Sequence, residues 1–211
     1  RYFAVQNLTK EKQRFINVLF KKYSTMTQEK VFSDTFSTTA LAVYDEFESA
    51  EALANMDLQE LTDFIIEKGK NRFPDPDAVA KAIQKAARSS YRLPKTVNDS
   101  VNQVLSISIT SIKALESQIK EFDKTIAAQM ELLPDVLTSI PGIGPVYAAG
   151  IMAEIGDINR FENHAQLAKY AGLAWTQYQS GGFEAQTTRL IRSGNRFLKY
   201  YLCEAAFSLV R

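Results

Sequence analysis

Apolar residues recur every three or four positions through most of the chain, which is the spacing of one face of an α-helix. Residues 8–23 follow this spacing, and Thr9 is suited to cap the start of that helix. Residues 24–39 are rich in Ser and Thr, which favours a loop or short irregular turns. The apolar face predicted for the first helix consists of Phe15, Ile16, Leu19, Phe20 and Tyr23.

Residues 40–70 predict two or three short helices. Ser49 and Asp57 are suited to cap two of them, and Gly69 is suited to end the last. A Pro-Asp-Pro sequence then restarts the chain. We therefore predict an alanine-rich helix over residues 76–90, which stops before the next proline.

Residues 97–133 carry the heptad pattern of a long coiled-coil helix. At a rise of about 1.5 Å per residue this helix would be roughly 50 Å long, more than one small core covers. Two interpretations remain open: the helix packs on its own domain, or it makes a homo-oligomer through an intermolecular coiled coil over residues 101–133. In the second case Ser108 and Gln129 weaken the pairing and help to fix its register. The seam consists of Val101, Leu105, Ser108, Ile112, Leu115, Ile119, Phe122, Ile126, Gln129 and Leu133.

The part of the chain that begins at Pro134 is predicted to be a helix-hairpin-helix domain. A short helix ends before Pro141, and Pro145 suits the first turn of the next helix. Gly142 and Gly144 permit tight backbone geometry. They also leave backbone N–H groups at a helix N terminus, where these groups can donate hydrogen bonds to a phosphate oxygen. Such contacts hold nucleic acid without reading its sequence. The alternative is a purely structural turn.

The predicted fold class is therefore all-α, mainly helical, with one short β-ribbon. Strand signals are confined to the stretch on either side of the Ser-Gly-Gly sequence that starts at Ser180. The apolar residues that favour the ribbon are Trp175, Tyr178 and Phe183. The predicted parts are a helical linker region at 1–96, the coiled-coil helix at 97–133 and the helix-hairpin-helix domain at 134–211.

Composition narrows the function only locally. The 211 residues carry 25 Lys and Arg against 24 Asp and Glu, so any basic nucleic-acid surface has to be local. A single cysteine, Cys203, excludes a disulfide within the chain and predicts a small core residue. No apolar run reaches the roughly 18 residues of a membrane span, and no carboxylates show metal-ligand spacing. His164, the only histidine, is expected to be structural or exposed. The chain starts at Arg1, and we expect it to be part of a longer protein.

Two segments after the hairpin are candidates for chemistry. Ser180 is followed by Gly181 and Gly182, which leave its hydroxyl unshielded and allow a bulky ligand to approach, although such a loop can also be an ordinary turn. Residues 189–199 carry four positive charges and no negative one, which favours phosphate binding over a merely solvated basic face. The candidate binding residues in this second segment are Arg189, Arg192, Asn195, Arg196 and Lys199.

The ordered set of C-terminal motifs resembles the insertion-sequence one-hundred-and-ten family of bacterial transposases, which are DEDD-type, RNA-guided recombinases. Each motif alone is weak, but their order is specific. The resemblance is close over residues 134–211 and looser before them. The motifs are Ile140-Pro141-Gly142-Ile143-Gly144, Glu154-Ile155-Gly156-Asp157, Arg160-Phe161, Gln166-Leu167-Ala168-Lys169-Tyr170-Ala171-Gly172-Leu173, Gln179-Ser180-Gly181 and Gly194-Asn195-Arg196-Phe197-Leu198.

The resemblance implies a bacterial cytoplasmic protein that cleaves and transfers DNA strands, with DNA and a guide RNA as partners. The family's serine corresponds to Ser180 and forms a phosphoserine link to DNA. An N-terminal RuvC-like domain would precede Arg1 and bind Mg²⁺ through four acidic residues, so the chain itself would hold no cofactor and would be inactive alone. Coiled coils would join protomers into a dimer or larger assembly. Ala174 and Trp175 depart from the family, which has a proline there, and Lys199 stands where arginine is common.

Three hypotheses follow. The chain is the serine-bearing part of a transposase active site, or a non-catalytic module that binds nucleic acid and dimerises, or a helical scaffold whose hairpin only turns the chain. Formation of a protein–DNA adduct separates the first from the second. Binding at low salt separates both from the third.

Overall fold

A computed structural model describes residues 1–134, 136–176, 179–180, 183–184 and 188–210, the two short pieces by their backbone alone. Its contacts divide the chain into two compact units, Arg1–Lys120 and Glu121–Arg211. The described residues are mainly helical, which confirms the predicted fold class. None of the described helices is long and apolar enough to cross a membrane.

The N-terminal unit is built from helices whose starts agree largely with the sequence pattern. Ser49 and Asp57 accept hydrogen bonds from backbone N–H groups of the first helical turn, as predicted, and Ser37 and Asp75 cap two further helices. The helices are α1 (Tyr2–Lys22), α2 (Ser24–Gln28), α3 (Thr38–Glu46), α4 (Ala50–Asn55), α5 (Leu58–Gly69), α6 (Pro76–Ser89) and α7 (Lys95–Met130), the last of which continues into the C-terminal unit.

One predicted helix start is wrong, and one predicted helix end is confirmed. The first helix begins at Tyr2, so Thr9 lies inside it and donates its hydroxyl hydrogen bond to the carbonyl of Val5, 3.0 Å away. Helix α5 ends at Gly69, as predicted, and the next residue, Lys70, adopts a left-handed φ of 51°. At Thr9, helical hydrogen bonding continues through the residue that was expected to cap the helix.

The first half of α7 belongs to the core of the N-terminal unit. Val101, Leu105, Ser108 and Ile112 are buried within the chain. The Ser108 hydroxyl also donates to the carboxylate of Glu11 in α1. Packing on its own domain is therefore confirmed for this half of the seam, which is not accessible to a partner helix. The intermolecular coiled coil stays a prediction only for the seam from Leu115 onward, where Phe122 is 44% exposed. Helix α7 ends at Met130, so the last predicted seam residue, Leu133, lies in the turn that follows it.

Lys22, at the end of α1, is an unusual member of this core because it is only 2% exposed. Its ammonium group donates to the carbonyl oxygen of Tyr44 at 2.9 Å, in the last turn of α3. Burial lowers the pKa of Lys22 from 10.5 to about 8, although the negative charges of Asp45 and Glu48 partly oppose this shift. The lysine thus satisfies a helix carbonyl at the cost of burying a charge.

We expect the folded protein to become more stable as the pH rises from about 8 towards 10.5, because the unfolded state then binds more protons at Lys22. Burial raises the pKa values of Tyr23 and Tyr44, which opposes this trend once the pH exceeds the ordinary tyrosine value of 10.0. Urea unfolding between pH values of about 7.5 and 9.5 therefore measures how Lys22 alone changes the free energy of unfolding with pH. Lys22→Met should flatten the pH dependence, whereas Lys21→Met, at an exposed neighbour, should leave it intact. Equal slopes in the wild type and Lys22→Met would contradict this assignment.

The C-terminal unit packs short helices around a small core of Ile151, Ala171 and Leu198. Cys203 is half-buried and His164 is exposed, so the first is less enclosed than predicted and the second is a surface residue. The elements are a 3₁₀ helix (Leu137–Ser139), α8 (Pro145–Ile155), a second 3₁₀ helix (Ile158–Arg160), α9 (His164–Tyr170), β1 (Gln179–Ser180), β2 (Phe183–Glu184) and α10 (Arg196–Val210).

Candidate nucleic-acid interface

The predicted hairpin lies between the first 3₁₀ helix and α8. Gly144 is the N-cap of α8 and Pro145 its first residue, as the sequence indicated. Gly144 is exposed, and a Cβ added to it would meet nothing within 4 Å. In the described part of the chain, the N–H groups of Gly144 and Val146 have no hydrogen-bond acceptor. This end of α8 therefore has the donors that a phosphate oxygen requires.

Gly142 has a second, structural reason to be glycine. Its φ is +82°, and a Cβ there would lie 3.1 Å from the backbone of Ser208 and of Leu209 near the end of α10. The residue thus allows the hairpin to pack closely against α10. Of the two hairpin glycines, Gly144 is the one that faces open space.

Gly172 and Gly194 form a backbone crossing that holds the start of α10 against the end of α9. An added Cβ on Gly172 would lie 2.8 Å from the Ser193 carbonyl oxygen, and one on Gly194 would lie 2.5 Å from the Gly172 nitrogen. Both residues have positive φ, 73° and 122°. We name this contact the glycine crossing. Only residues without a side chain allow the two backbones to approach so closely.

Asn195 follows the crossing and uses its whole side chain within the protein. Its Oδ1 accepts from the N–H groups of Phe197 and Leu198, both at 3.0 Å, which caps α10. Its Nδ2 donates to Glu154 Oε2 at 2.7 Å and to the Tyr170 hydroxyl at 3.2 Å. The sequence suggested that Asn195 binds nucleic acid. In the structure its side-chain amide makes hydrogen bonds within the protein, and these position the start of α10.

The side chain of Lys199 is also used within the protein. Its ammonium group is half-buried and donates to the carbonyl oxygen of Gly172 at 3.1 Å. Arg192, Arg196 and Arg189 are instead exposed, and the Arg196 guanidinium lies 4.7 Å from the centre of the Phe197 ring. The basic segment therefore divides into three solvent-facing arginines and two residues that hold the fold.

An open groove of about 790 Å³ lies beside the glycine crossing. Its walls include Glu154, Lys169, Tyr170, Gly194 and Arg196. Hydrogen bonds from Asn195 and Arg160 lower the pKa of Tyr170. The groove thus combines cations, an aromatic ring and the start of a 15-residue helix.

Arg160 and the aromatic residues beside it were not assigned a role from the sequence. The guanidinium lies 4.6 Å from the centre of the Tyr170 ring and 4.7 Å from that of Phe161. Glu154, Tyr170 and Gly172 were likewise missed as site residues. All five occur in the motifs that carry the family resemblance, which was the available signal.

The Ser180 segment forms the predicted ribbon. Backbone hydrogen bonds Thr176 N–H to Arg189 carbonyl, at 2.8 Å, and Ile191 N–H to Ala174 carbonyl, at 2.9 Å, close its base. Further along, β1 and β2 are antiparallel and pair Ser180 with Phe183. Gly181 and Gly182 lie outside the described residues. The ribbon therefore carries Arg189 at its base and Ser180 beyond it.

Among the described residues, no group of three or more His, Cys, Asp or Glu side chains is arranged to hold a metal ion. The described residues therefore do not provide the Mg²⁺ ligands that the family resemblance assigns to a RuvC-like domain. Glu154, which lines the groove, accepts a hydrogen bond from the amide of Asn195.

The C-terminal part of the chain is similar to a family of transposases. Residues 135–211 match the model of the transposase IS116/IS110/IS902 family. An uncharacterized 44.8 kDa protein of insertion element IS116 from Streptomyces clavuligerus is 27% identical over 87% of this chain and 45% of its own length. The corresponding 43.6 kDa protein of IS110 from Streptomyces coelicolor is 30% identical over 65% of this chain and 40% of its own length.

A protein that is itself called a transposase also matches. The transposase for insertion sequence element IS1111A from Coxiella burnetii is 28% identical over 53% of this chain and 31% of its own length. The chain thus spans less than half the length of each of these three relatives. No solved structure matches the chain.

Proposed function

We propose that this chain is the nucleic-acid-binding, serine-bearing C-terminal part of an insertion-sequence transposase that cleaves and transfers DNA strands. The observation that carries the proposal is the exposed set of Arg189, Arg192 and Arg196 around the start of α10, within the segment that matches the transposase family. Such a protein would act on DNA in the bacterial cytoplasm, with a guide RNA as a second partner.

The arginines are suited to bind the phosphate backbone. Guanidinium groups form paired hydrogen bonds with phosphate oxygens, and the N-terminal end of α10 adds a favourable dipole. The N–H groups of Gly144 and Val146, which have no acceptor among the described residues, would bind phosphate in the same way, without base specificity. Asn195, Lys199 and the glycine crossing would hold these groups in place without touching the ligand.

In the proposed reaction the Ser180 hydroxyl oxygen attacks the phosphorus of a phosphodiester. A bond between Oγ and phosphorus forms and the bond from phosphorus to one sugar oxygen breaks. The serine proton passes to a base, and the departing sugar oxygen takes up a proton and becomes a hydroxyl group. The described residues provide no site for Mg²⁺, so we derive no step through a metal from this chain. We expect the metal-dependent part of the reaction to be provided by the RuvC-like domain of a longer protein.

Oligomerisation would use the later half of the long helix. Phe122 is an exposed seam residue, unlike the buried positions up to Ile112. A partner copy would cover it in a left-handed coiled coil. The proposed dimer interface therefore runs from Leu115 to the end of α7 at Met130 instead of over the whole of 101–133.

Binding by the chain itself tests the proposal. Arg192→Glu together with Arg196→Glu should weaken binding of duplex DNA by about tenfold or more and reduce the slope of log K against log salt by roughly two. Fluorescence anisotropy over a range of salt concentrations measures both quantities. Lys10→Glu with Lys21→Glu makes the same charge change at exposed positions in the N-terminal unit and should have little effect. If the two double variants had the same affinity and the same salt dependence, Arg192 and Arg196 would not be the residues that bind DNA.

A further inference from the structure

We propose that the N-terminal unit holds a second phosphate site, which takes the phosphate of a nucleotide. The site is a cavity of about 570 Å³ at the start of α3. It does not depend on the function proposed for the C-terminal unit. The residues that carry the argument are Thr38, Thr39, Lys70, Arg72 and Phe73, all of which line the cavity.

The hydroxyl group of Thr39 has no hydrogen-bond partner among the described residues, although the residue as a whole is only 5% exposed. Thr39 and Gly69 both line the cavity, and the Thr39 hydroxyl oxygen lies 3.6 Å from where a Cβ on Gly69 would be. Hydroxyl groups on enclosed residues are usually hydrogen-bonded. A ligand oxygen in the cavity would provide that partner.

The backbone around Thr39 also favours an anion. Helix α3 has nine residues, and its N-cap Ser37 accepts only from the N–H of Ala40. Within the described chain, the N–H groups of Thr38 and Thr39 have no acceptor. Two N–H groups and one hydroxyl at the positive end of a helix are suited to bind phosphate oxygens.

Cations also line the cavity. The chain reverses at Lys70 and Asn71, whose φ values are 51° and 55°, and returns past α3 through Arg72 and Phe73. Lys70 and Arg72 are exposed and have no ion pair among the described residues. Lys68 also lines the cavity, but Glu46 and Glu67 pair with it. Two uncompensated cations therefore remain to bind a negative ligand.

The size and apolar walls of the cavity indicate more than a bare phosphate. Phe73 packs over Gly69, and the apolar side chains of Val31 and Val79 also line the space. These surfaces are suited to contact a base or a sugar, while the helix start and the cations hold the phosphate. Asp34, the acid in the neighbouring loop, accepts from the N–H of Phe36.

Three probes test the site: inorganic phosphate, adenosine monophosphate and a single-stranded oligonucleotide. Thr39→Val keeps the size of the side chain and removes the hydroxyl, and Lys70→Ala with Arg72→Ala removes the cations. We expect saturable binding of the mononucleotide, more tightly than of inorganic phosphate, by phosphorus NMR titration. Thr39→Val should weaken that binding by about tenfold, in line with the loss of one hydrogen bond to a charged group, and Lys70→Ala with Arg72→Ala should weaken it by at least as much. Lys10→Ala with Lys21→Ala should leave it unchanged.

The oligonucleotide is titrated in the Arg192→Glu, Arg196→Glu background, so that the C-terminal arginines do not contribute. Tighter binding of the oligonucleotide than of the mononucleotide would identify a nucleic-acid strand as the source of the phosphate, and the reverse would identify a free nucleotide. Equal affinity for inorganic phosphate and the mononucleotide would overturn the nucleotide assignment. Absence of saturable binding by the wild type, or variants that bind as it does, would overturn the site. None of these outcomes depends on Ser180 or on residues 189–199.

Discussion

Gly194→Ala is expected to unfold the C-terminal unit. The alanine Cβ would lie 2.5 Å and 2.6 Å from the backbone nitrogen and Cα of Gly172, so a backbone segment would have to move. A φ of +122° is also strained for any residue with a side chain. Together these effects should cost about 3 kcal/mol or more. Hydrogen exchange of the amides in α8 and α10 measures the loss locally, independently of the N-terminal unit.

Gly144→Ala is the matched control for this substitution. It adds the same methyl group in the same unit, but φ is −83° and nothing lies within 4 Å of the new atom. We expect its exchange rates to equal those of the wild type. Native protection in Gly194→Ala would show that the glycine crossing tolerates a side chain, and would remove our explanation for the position of α10.

Ser180→Ala in a full-length protein that contains this chain should abolish the covalent protein–DNA adduct and, with it, strand transfer. The methyl group of alanine has no oxygen that can bond to phosphorus, so no residual adduct is expected. The adduct is measured as labelled DNA that stays with the protein on a denaturing gel. DNA binding should persist, because Arg189, Arg192 and Arg196 are unchanged.

Ser193→Ala provides the matched control, since Ser193 is an exposed serine beside the glycine crossing. It should form the adduct as the wild type does. An adduct that survives Ser180→Ala but not Ser193→Ala would move the nucleophile to Ser193. An adduct that survives both substitutions would remove the serine mechanism and leave nucleic-acid binding as the function of this part.

Local patterns predicted the fold well where the relevant forces are local. Ser49 and Asp57 cap helices as expected, because an N-cap depends on a side chain and the N–H groups two or three residues later. The ribbon around Ser180 was also predicted from its apolar flanks and central glycines. The prediction that Thr9 caps a helix was wrong because a threonine inside a helix can donate its hydroxyl hydrogen bond to a carbonyl of the preceding turn. A threonine in the sequence therefore does not by itself mark the start of a helix.

Contacts distant in sequence were not predicted. The heptad seam gave the right helix, but its spacing is the same whether an apolar face meets its own domain or a partner, and Leu105 turned out to be in the core. Gly172 and Gly194 are separated by a ribbon, so no pattern in the sequence pairs them. Lys199 looked like a phosphate ligand because charge alone does not reveal that its ammonium group reaches a carbonyl.

The hydrogen bond between Glu154 and Asn195 has a consequence for how this sequence can change over evolutionary time. An aspartate at 195 would keep the cap on α10 but place a second carboxylate 2.7 Å from that of Glu154, where two like charges repel. Such a substitution should therefore persist only in lineages where 154 has become neutral. Across many homologous sequences, the two positions should covary, although 154 lies in α8 and 195 lies immediately before α10.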